Sequence, residues 1–181
     1  MSLRAVTAPL AEAAGSKPWL SASLFIAVAA AGTILGAYFF QYVIGLAPCP
    51  LCLEQRTPYY IAIPLALAVA AAAAFKAPAF VVRLGLLVLA GVMVWGAYLG
   101  VYHAGAEWGF WAGPTTCAQP VTIARTPGDL LRQIQTGPRI ADCTVAAWRF
   151  LGVSLAGWNA LIAAVLAAVA LAAASRSREA A

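Results

Sequence analysis

Charged side chains are scarce in this chain. Only 9% of its 181 residues are Asp, Glu, Lys or Arg, whereas about a quarter are charged in a soluble domain. Hydrophobic residues make up 64%, more than a water-soluble fold could cover with polar surface. The formal net charge is +5, but no dense cluster of Lys and Arg marks a nucleic-acid-binding face. The composition therefore predicts a membrane protein with no nucleic-acid partner.

Two other kinds of site have little support in the sequence. The chain has one histidine, His103, and beyond one C-x-x-C pair its cysteines are isolated. A structural zinc site needs about four ligands at suitable spacing, so no metal is predicted. The chain contains no G-x-G-x-x-G fingerprint, and this disfavours a bound dinucleotide.

Four apolar stretches are long enough to cross a bilayer, which takes about 20 helical residues. They cover residues 19–44, 52–75, 80–102 and 150–174. The predicted fold class is an all-α membrane protein, a four-transmembrane-helix bundle that forms one membrane domain over residues 1–181. Residues 1–18 are expected to be a short polar tail. Residues 104–148 are expected to form one long loop outside the membrane.

Four spans place both termini on the same side of the bilayer. Six of the 11 Lys and Arg residues lie on that side, in short tails and one tight turn, and five lie on the other. The positive-inside rule then favours cytoplasmic termini in a multi-pass membrane protein. All four cysteines would face the oxidising side, which is the periplasm if the membrane is a bacterial inner membrane.

The predicted loop contains the segment TPGDLLRQIQTGP. Thr126 can cap a helix that begins at Pro127 and stops before Pro138. Its leucine and isoleucine residues fall on one face, which predicts a short helix lying on the membrane surface.

A cysteine pair lies at the N-terminal end of the second predicted span, in the segment APCPLCLEQR. Cys49 and Cys52 would occupy the N-terminal end of a helix, where the helix dipole stabilises a thiolate. Arg56 follows Cys52 by four residues and shares its helix face. It can stabilise a thiolate or a reduced, anionic electron acceptor, or it can simply extend to lipid phosphate.

The other two cysteines, Cys117 and Cys143, lie in the loop rich in Gly and Pro. A disulfide held there can be attacked and re-formed by another protein. Two interpretations remain open at this point. One is a redox enzyme whose electron acceptor, such as a quinone, is dissolved in the bilayer. The other is a disulfide-stapled membrane scaffold or transport subunit without redox turnover.

The combined pattern resembles the bacterial disulfide bond formation protein B family. CPLCLEQR follows the first span, three further spans come after it, and the loop that carries Cys117 and Cys143 contains YHAGAEWGFWAGPTTC. Pro50, inside the pair, departs from the family pattern and can tune its redox potential. A vitamin K epoxide reductase-like enzyme also combines a similar bundle with four cysteines, but its C-x-x-C lies late in the chain.

The resemblance implies a quinone-dependent thiol oxidase that re-oxidises a periplasmic thioredoxin-like thiol oxidase. Electrons would pass to ubiquinone, or to menaquinone, in the lipid bilayer. By position, Cys117 matches the cysteine attacked by the partner, and Cys143 matches its resolving mate. Cys49 matches the cysteine that exchanges with the loop pair.

The resemblance also assigns the quinone end of the pathway. Cys52 matches the thiolate that donates electrons to the quinone, with Arg56 beside it. His103, at the end of the third span, is expected to contact the quinone ring, although a histidine there can also be a plain interfacial residue.

Overall fold

A computed structural model describes residues 3–114, 126–128, 131 and 142–176 of the chain, with side chains from Pro18 onward. The secondary structure of this part of the chain is helical, except for one two-stranded hairpin before the last helix. The elements are α1 Leu3–Tyr38, a π-helical turn Phe39–Val43, α2 Pro50–Glu54, α3 Thr57–Ala74, α4 Ala79–Glu107, β1 Arg149–Phe150, β2 Val153–Ser154 and α5 Leu155–Ser175.

Four helical stretches are long and apolar enough to cross a membrane. They are Pro18–Val43, Pro50–Ala74, Ala79–Glu107 and Leu155–Ser175. Large apolar side chains such as Val28, Leu84 and Val165 are exposed on these helices. Lipid, not water, is the solvent that such surfaces suit. The predicted fold class, an all-α bundle of four spanning helices, is confirmed.

Element boundaries differ from the expected ones in three places. The segment expected to be a polar tail is helical from Leu3, as part of α1. The third spanning helix continues past residue 102 to Glu107, so His103 lies inside it. The fourth begins at Leu155, not at residue 150, because the preceding residues form the hairpin.

The hairpin turns at Leu151 and Gly152, whose φ angles are 51° and 81°. Two successive residues with positive φ match the turn that best suits the twist of a two-residue hairpin loop. The turn brings Ser154 to the start of α5, where its hydroxyl accepts a hydrogen bond from the Gly157 amide at 3.2 Å. The fourth spanning helix therefore starts with a side-chain cap.

Small residues let the helices approach closely. A Cβ added to Gly100 on α4 would lie 2.7 Å from the backbone nitrogen of Ala160 on α5. Close backbone approach at small residues is a common way for helices to pack in lipid. The bundle core is filled by alanines and a few larger apolar side chains, including Ile26, Ala62, Ala66, Leu89, Met93, Ala163 and Leu166.

The surface helix predicted to begin at Pro127 falls largely outside the described residues. Pro127, Gly128 and Leu131 are helical. Cys117 also falls outside them, so its expected role stays a prediction.

Candidate active site

Cys49 caps the helix that follows it. Its backbone is extended, with φ −78° and ψ 166°, and its sulfur accepts a hydrogen bond from the Cys52 amide at 3.2 Å. Pro50 takes the first helical position, where it costs no hydrogen bond. The helix is only five residues long, so this amide, more than a long helix dipole, provides the local positive potential at the Cys49 sulfur.

The two sulfurs of the pair lie 2.8 Å apart, and the Cys49 thiol donates toward Cys52. A covalent S–S bond measures about 2.05 Å, and both cysteines are free thiols. The pKa of Cys49 is raised, first by its hydrogen bond to Cys52 and second by burial. Cys49 is therefore held as the protonated member of a reduced pair.

Cys143 lies against this pair from the loop side. Its sulfur and the Cys49 sulfur are within 4.8 Å of each other, and both residues are buried in a small cluster with Leu51. Cys143 is disulfide-bonded. The structure thus places a disulfide sulfur next to a free thiol, which is the arrangement that thiol–disulfide exchange requires.

The loop backbone beside Cys143 is fixed by a local turn. The Asp142 carboxylate accepts hydrogen bonds from the amide and the hydroxyl of Thr144, at 2.9 Å and 2.8 Å. These bonds, the amide first, hold the pKa of Asp142 below its usual range. A charged acceptor strengthens such bonds, so the turn stabilises the position of Cys143.

A ring nitrogen of His103 lies within the same 4.8 Å group as the sulfurs of Cys49 and Cys143. Soft sulfur and imidazole ligands at this spacing are typical of zinc. Metal ligation by cysteine requires a thiolate, whereas the Cys143 sulfur is engaged in a disulfide. The sulfurs of Cys49 and Cys143 are therefore arranged for thiol–disulfide exchange, and the His103 imidazole lies beside them.

His103 is buried, with 3% of its surface exposed, and both ring nitrogens have partners. Nε2 lies 3.7 Å from the Cys49 sulfur, and Nδ1 is hydrogen-bonded to the Gln55 side-chain amide. The amide of Asn159 donates to the Gln55 oxygen at 2.7 Å. A polar chain therefore runs from α5, through the turn after α2, to the cysteine pair.

Glu107 completes this group from one helical turn beyond His103. Its Oε1 lies 3.7 Å from His103 Nε2, and Ser154 forms a hydrogen bond to its carboxylate. The same atom of His103 therefore faces both Cys49 and Glu107.

Arg56 lies between α2 and α3, at the N-cap position of α3. Its Nη1 donates to Gln41 Oε1 at 2.7 Å, and its guanidinium lies 5.3 Å from the centre of the Tyr38 ring. Only 9% of its surface is exposed. These contacts with the first spanning helix aim the cation into the bundle.

A cavity of about 700 Å³ joins these groups. Its polar wall contains Cys49, Cys52, Arg56, His103 and Glu107. The rest is mainly apolar and includes a strip of small residues on α1, namely Ala29, Gly32, Gly36 and Ala37. An apolar pocket of roughly 300–1,000 Å³ with a few polar groups is typical of a small-molecule site.

Sequence reasoning placed Cys49, Cys52, Arg56, His103 and Cys143 at the site, and the structure brings all five together. It missed Gln55, Asn159 and Glu107. Two signals were available: Asn159 is a polar residue within an apolar span, which is a functional hypothesis by default, and Glu107 follows His103 by four helical positions.

Comparison with known proteins assigns the family. The model of the family described as "Disulfide bond formation protein DsbB" matches residues 20–173. The chain belongs to the DsbB family. Because the match covers all four spans and the cysteine site, the chain is a multi-pass membrane protein of the disulfide bond formation type.

Several curated DsbB-family relatives are similar over most of their length. The "Disulfide bond formation protein B" of a Polaromonas species is 28% identical over 156 residues, covering 81% of this chain and 84% of the relative. That of Methylococcus capsulatus is 31% identical over 134 residues, covering 71% and 77%. No solved structure matches the chain.

Proposed function

We propose that this protein re-oxidises a periplasmic thioredoxin-like thiol oxidase and passes the electrons to a membrane quinone, ubiquinone or menaquinone. The observation that carries the proposal is the position of the reduced Cys49–Cys52 pair. One of its sulfurs lies within 4.8 Å of disulfide-bonded Cys143, and both cysteines line the cavity beside Arg56. Two thiols, a disulfide sulfur and a cavity between spanning helices thus meet at one place.

The cavity residues fit a quinone head group. The small residues of α1 leave open space, since a Cβ added at Gly36 would meet nothing within 4 Å. Arg56 offers N–H donors at the polar end of the cavity, and His103 and Cys52 lie on the same wall. When bound, the quinone accepts two electrons and two protons. Arg56 would bind and orient it and would stabilise negative charge.

Within the chain, electrons would move by two exchange steps. In the first, the Cys143 thiolate attacks the Cys49 sulfur of the oxidised pair. The S143–S49 bond forms, the S49–S52 bond breaks, and the electron pair leaves on Cys52 at the cavity wall. The partner has by then reduced the loop pair by attack on Cys117, as the family resemblance implies.

In the second step, the Cys117 thiolate attacks the Cys143 sulfur. The loop disulfide re-forms, the S143–S49 bond breaks, and the electron pair leaves on Cys49, which takes up a proton. Two thiols at Cys49 and Cys52 beside an oxidised Cys143 are the product of this sequence, and free Cys49 and Cys52 next to disulfide-bonded Cys143 support it. The direction of flow follows the potentials of the successive couples.

The orientation of the protein is part of the proposal. Cytoplasmic termini place Cys49, Cys143 and the hairpin at the periplasmic face of a bacterial inner membrane, where disulfides form and persist.

Quinone reduction by the purified protein in detergent tests the proposal directly. A reduced thioredoxin-like periplasmic oxidase supplies the electrons, and loss of quinone absorbance reports turnover. We expect turnover with the parent chain and none with Cys52→Ser. A scaffold without redox turnover would leave both the quinone and the partner unchanged, and that result would refute the proposal.

A further inference from the structure

We infer that Gln55 and Asn159 are positioning residues that hold neutral His103 with its proton on Nε2. The imidazole then serves the Cys49 sulfur as a hydrogen-bond donor and not as a base. The use of this donor in catalysis rests on the proposed function, whereas the position of the proton does not.

The orientation of the Gln55 amide follows from the backbone. One end of the amide lies 3.3 Å from the Leu51 carbonyl oxygen. A carbonyl oxygen only accepts hydrogen bonds, so the atom facing it has to be the amide nitrogen. This fixes which end of Gln55 is Nε2 without any choice among side-chain flips, which are otherwise a matter of assignment.

Asn159 holds the opposite end of the same amide. Its Nδ2 donates to Gln55 Oε1 at 2.7 Å, from α5. Gln55 is buried, with 6% of its surface exposed, so water does not readily replace these partners. Turning the amide over would set two oxygens against each other at Leu51 and two N–H groups against each other at Asn159. The hydrogen bonds with Leu51 and Asn159 together therefore fix the orientation of the Gln55 amide.

The tautomer of His103 follows from that orientation. The same Gln55 nitrogen contacts His103 Nδ1, and an amide nitrogen can only donate. Nδ1 therefore accepts, and a neutral imidazole carries its one proton on Nε2. Nε2 faces the Cys49 sulfur at 3.7 Å and Glu107 Oε1 at 3.7 Å.

Two N–H groups thus point at the Cys49 sulfur, since the Cys52 amide also donates to it at 3.2 Å. In the second exchange step, negative charge appears on Cys49 as the S143–S49 bond breaks. Preorganised donors stabilise charge at the place where it develops. Glu107 Oε1 lies 3.7 Å from the same ring nitrogen, so a carboxylate also faces this donor.

Nitrogen NMR of the single histidine tests the inference. His103 is the one histidine of the chain, so ¹⁵N-histidine labelling reports on it without assignment. In the reduced parent protein in detergent, at a pH where the ring is neutral, we expect a protonated Nε2 and an unprotonated Nδ1. A protonated Nδ1 in the parent would overturn the inference, whatever the quinone assay shows.

Two variants make the test specific. Gln55→Glu replaces the donor facing Nδ1 by a carboxylate, so Nδ1 should become protonated. Asn159→Asp cannot donate to Gln55 Oε1, so the amide should turn and Nδ1 should gain a proton, wholly or in part. Ser175→Ala, which removes a hydrogen bond elsewhere on α5, should leave the tautomer unchanged. An unprotonated Nδ1 in both network variants would contradict the positioning role.

The rate of Cys49 alkylation tests whether His103 donates a hydrogen bond to the Cys49 sulfur. In a chain with Cys52, Cys117 and Cys143 replaced by alanine, His103→Phe should slow iodoacetamide modification of Cys49 about tenfold at pH 8, as expected for one lost hydrogen bond to a charged group. Asn159→Asp should change the rate in the same direction. An unchanged or faster rate in both variants would overturn the donor role.

Discussion

The Cys49 sulfur lies within 4.8 Å of the Cys143 sulfur, although 94 positions separate the two residues in the sequence. One is a free thiol at the start of α2, and the other is a disulfide sulfur in the loop before β1. Both are buried. The contact connects a part of the chain outside the membrane to the cavity between the spans, and the predictions below depend on it.

The loop pair is tested by two single replacements. Cys117→Ala should stop electron entry from the partner, while the Cys49–Cys52 pair still reacts with quinone when a small dithiol is supplied. Cys143→Ala should leave Cys117 without its resolving thiol, so a long-lived mixed disulfide with the partner should accumulate. Non-reducing gels measure this product. If both variants turn over like the parent, the loop pair is only a structural staple.

The orientation is tested by introduced cysteines in a chain whose four native cysteines are alanine. Leu151→Cys places a thiol at the exposed hairpin turn, and Phe75→Cys places one at the exposed turn between α3 and α4. A membrane-impermeant maleimide added to intact cells should label the first variant. The second should be labelled only after the membrane is opened. The reverse pattern would invert the proposed topology.

The spans and several site residues could be predicted from the sequence because each produces a local sequence pattern. Apolar length alone predicts a spanning helix, and a C-x-x-C pair beside an arginine is a local pattern. The family resemblance is confirmed by the match over residues 20–173. The roles of Cys49, Cys52, Cys117, Cys143, Arg56 and His103 remain predictions until variants are measured.

The polar network could not be predicted from the sequence, because it depends on how the helices align against one another. Gln55 lies in the turn after α2, His103 on α4 and Asn159 on α5, and no sequence spacing relates them. The break between α2 and α3 was not predicted either, because residues 52–75 were expected to form one continuous span, whereas α2 ends at Glu54 and α3 begins at Thr57. That break gives Arg56 the N-cap position of α3 and directs its side chain toward Gln41.

In the reduced pair, the rate at which Cys49 is alkylated should reflect its raised pKa. Its pKa is raised, first by the hydrogen bond to Cys52 and then by burial. A raised pKa keeps the thiol protonated as pH rises through the ordinary range for cysteine, about 8.5, and only the thiolate is nucleophilic. In the parent chain, Cys49 should therefore be alkylated more slowly than a free thiol at pH 8. Peptide mapping after short alkylation measures it, and an equal rate would contradict the prediction.

The cavity is tested by filling it. Gly36 lines the cavity, and a Cβ there meets nothing within 4 Å, so Gly36→Leu should fold and narrow the space for a quinone. We expect a higher apparent KM for quinone with little change in the rate of loop exchange. Gly91→Leu is the matched control, because Gly91 is exposed and has the same open space. Equal quinone kinetics in the two variants would place the quinone elsewhere.

Arg56 is tested by changing its shape and then its charge. Its guanidinium is held by Gln41 and lines the cavity wall beside Cys52. Arg56→Lys keeps the charge but loses the planar fork, so a partial loss of turnover is expected. Arg56→Met removes the charge. Loss of one preorganised contact at a site of developing charge costs about 2–4 kcal/mol, or roughly 10²–10³ in rate.

Partial water access to the cavity places the expected loss for Arg56→Met at the lower end of that range. Steady-state assays across a series of quinone concentrations measure it as weaker apparent affinity and slower turnover. An arginine that only extends to lipid phosphate would give a different result, with normal quinone kinetics and a lower amount of protein in the membrane. If Arg56→Met matches the parent in both apparent affinity and maximal rate, the arginine has no part in the chemistry, and the cation at the cavity wall serves only to anchor the bundle.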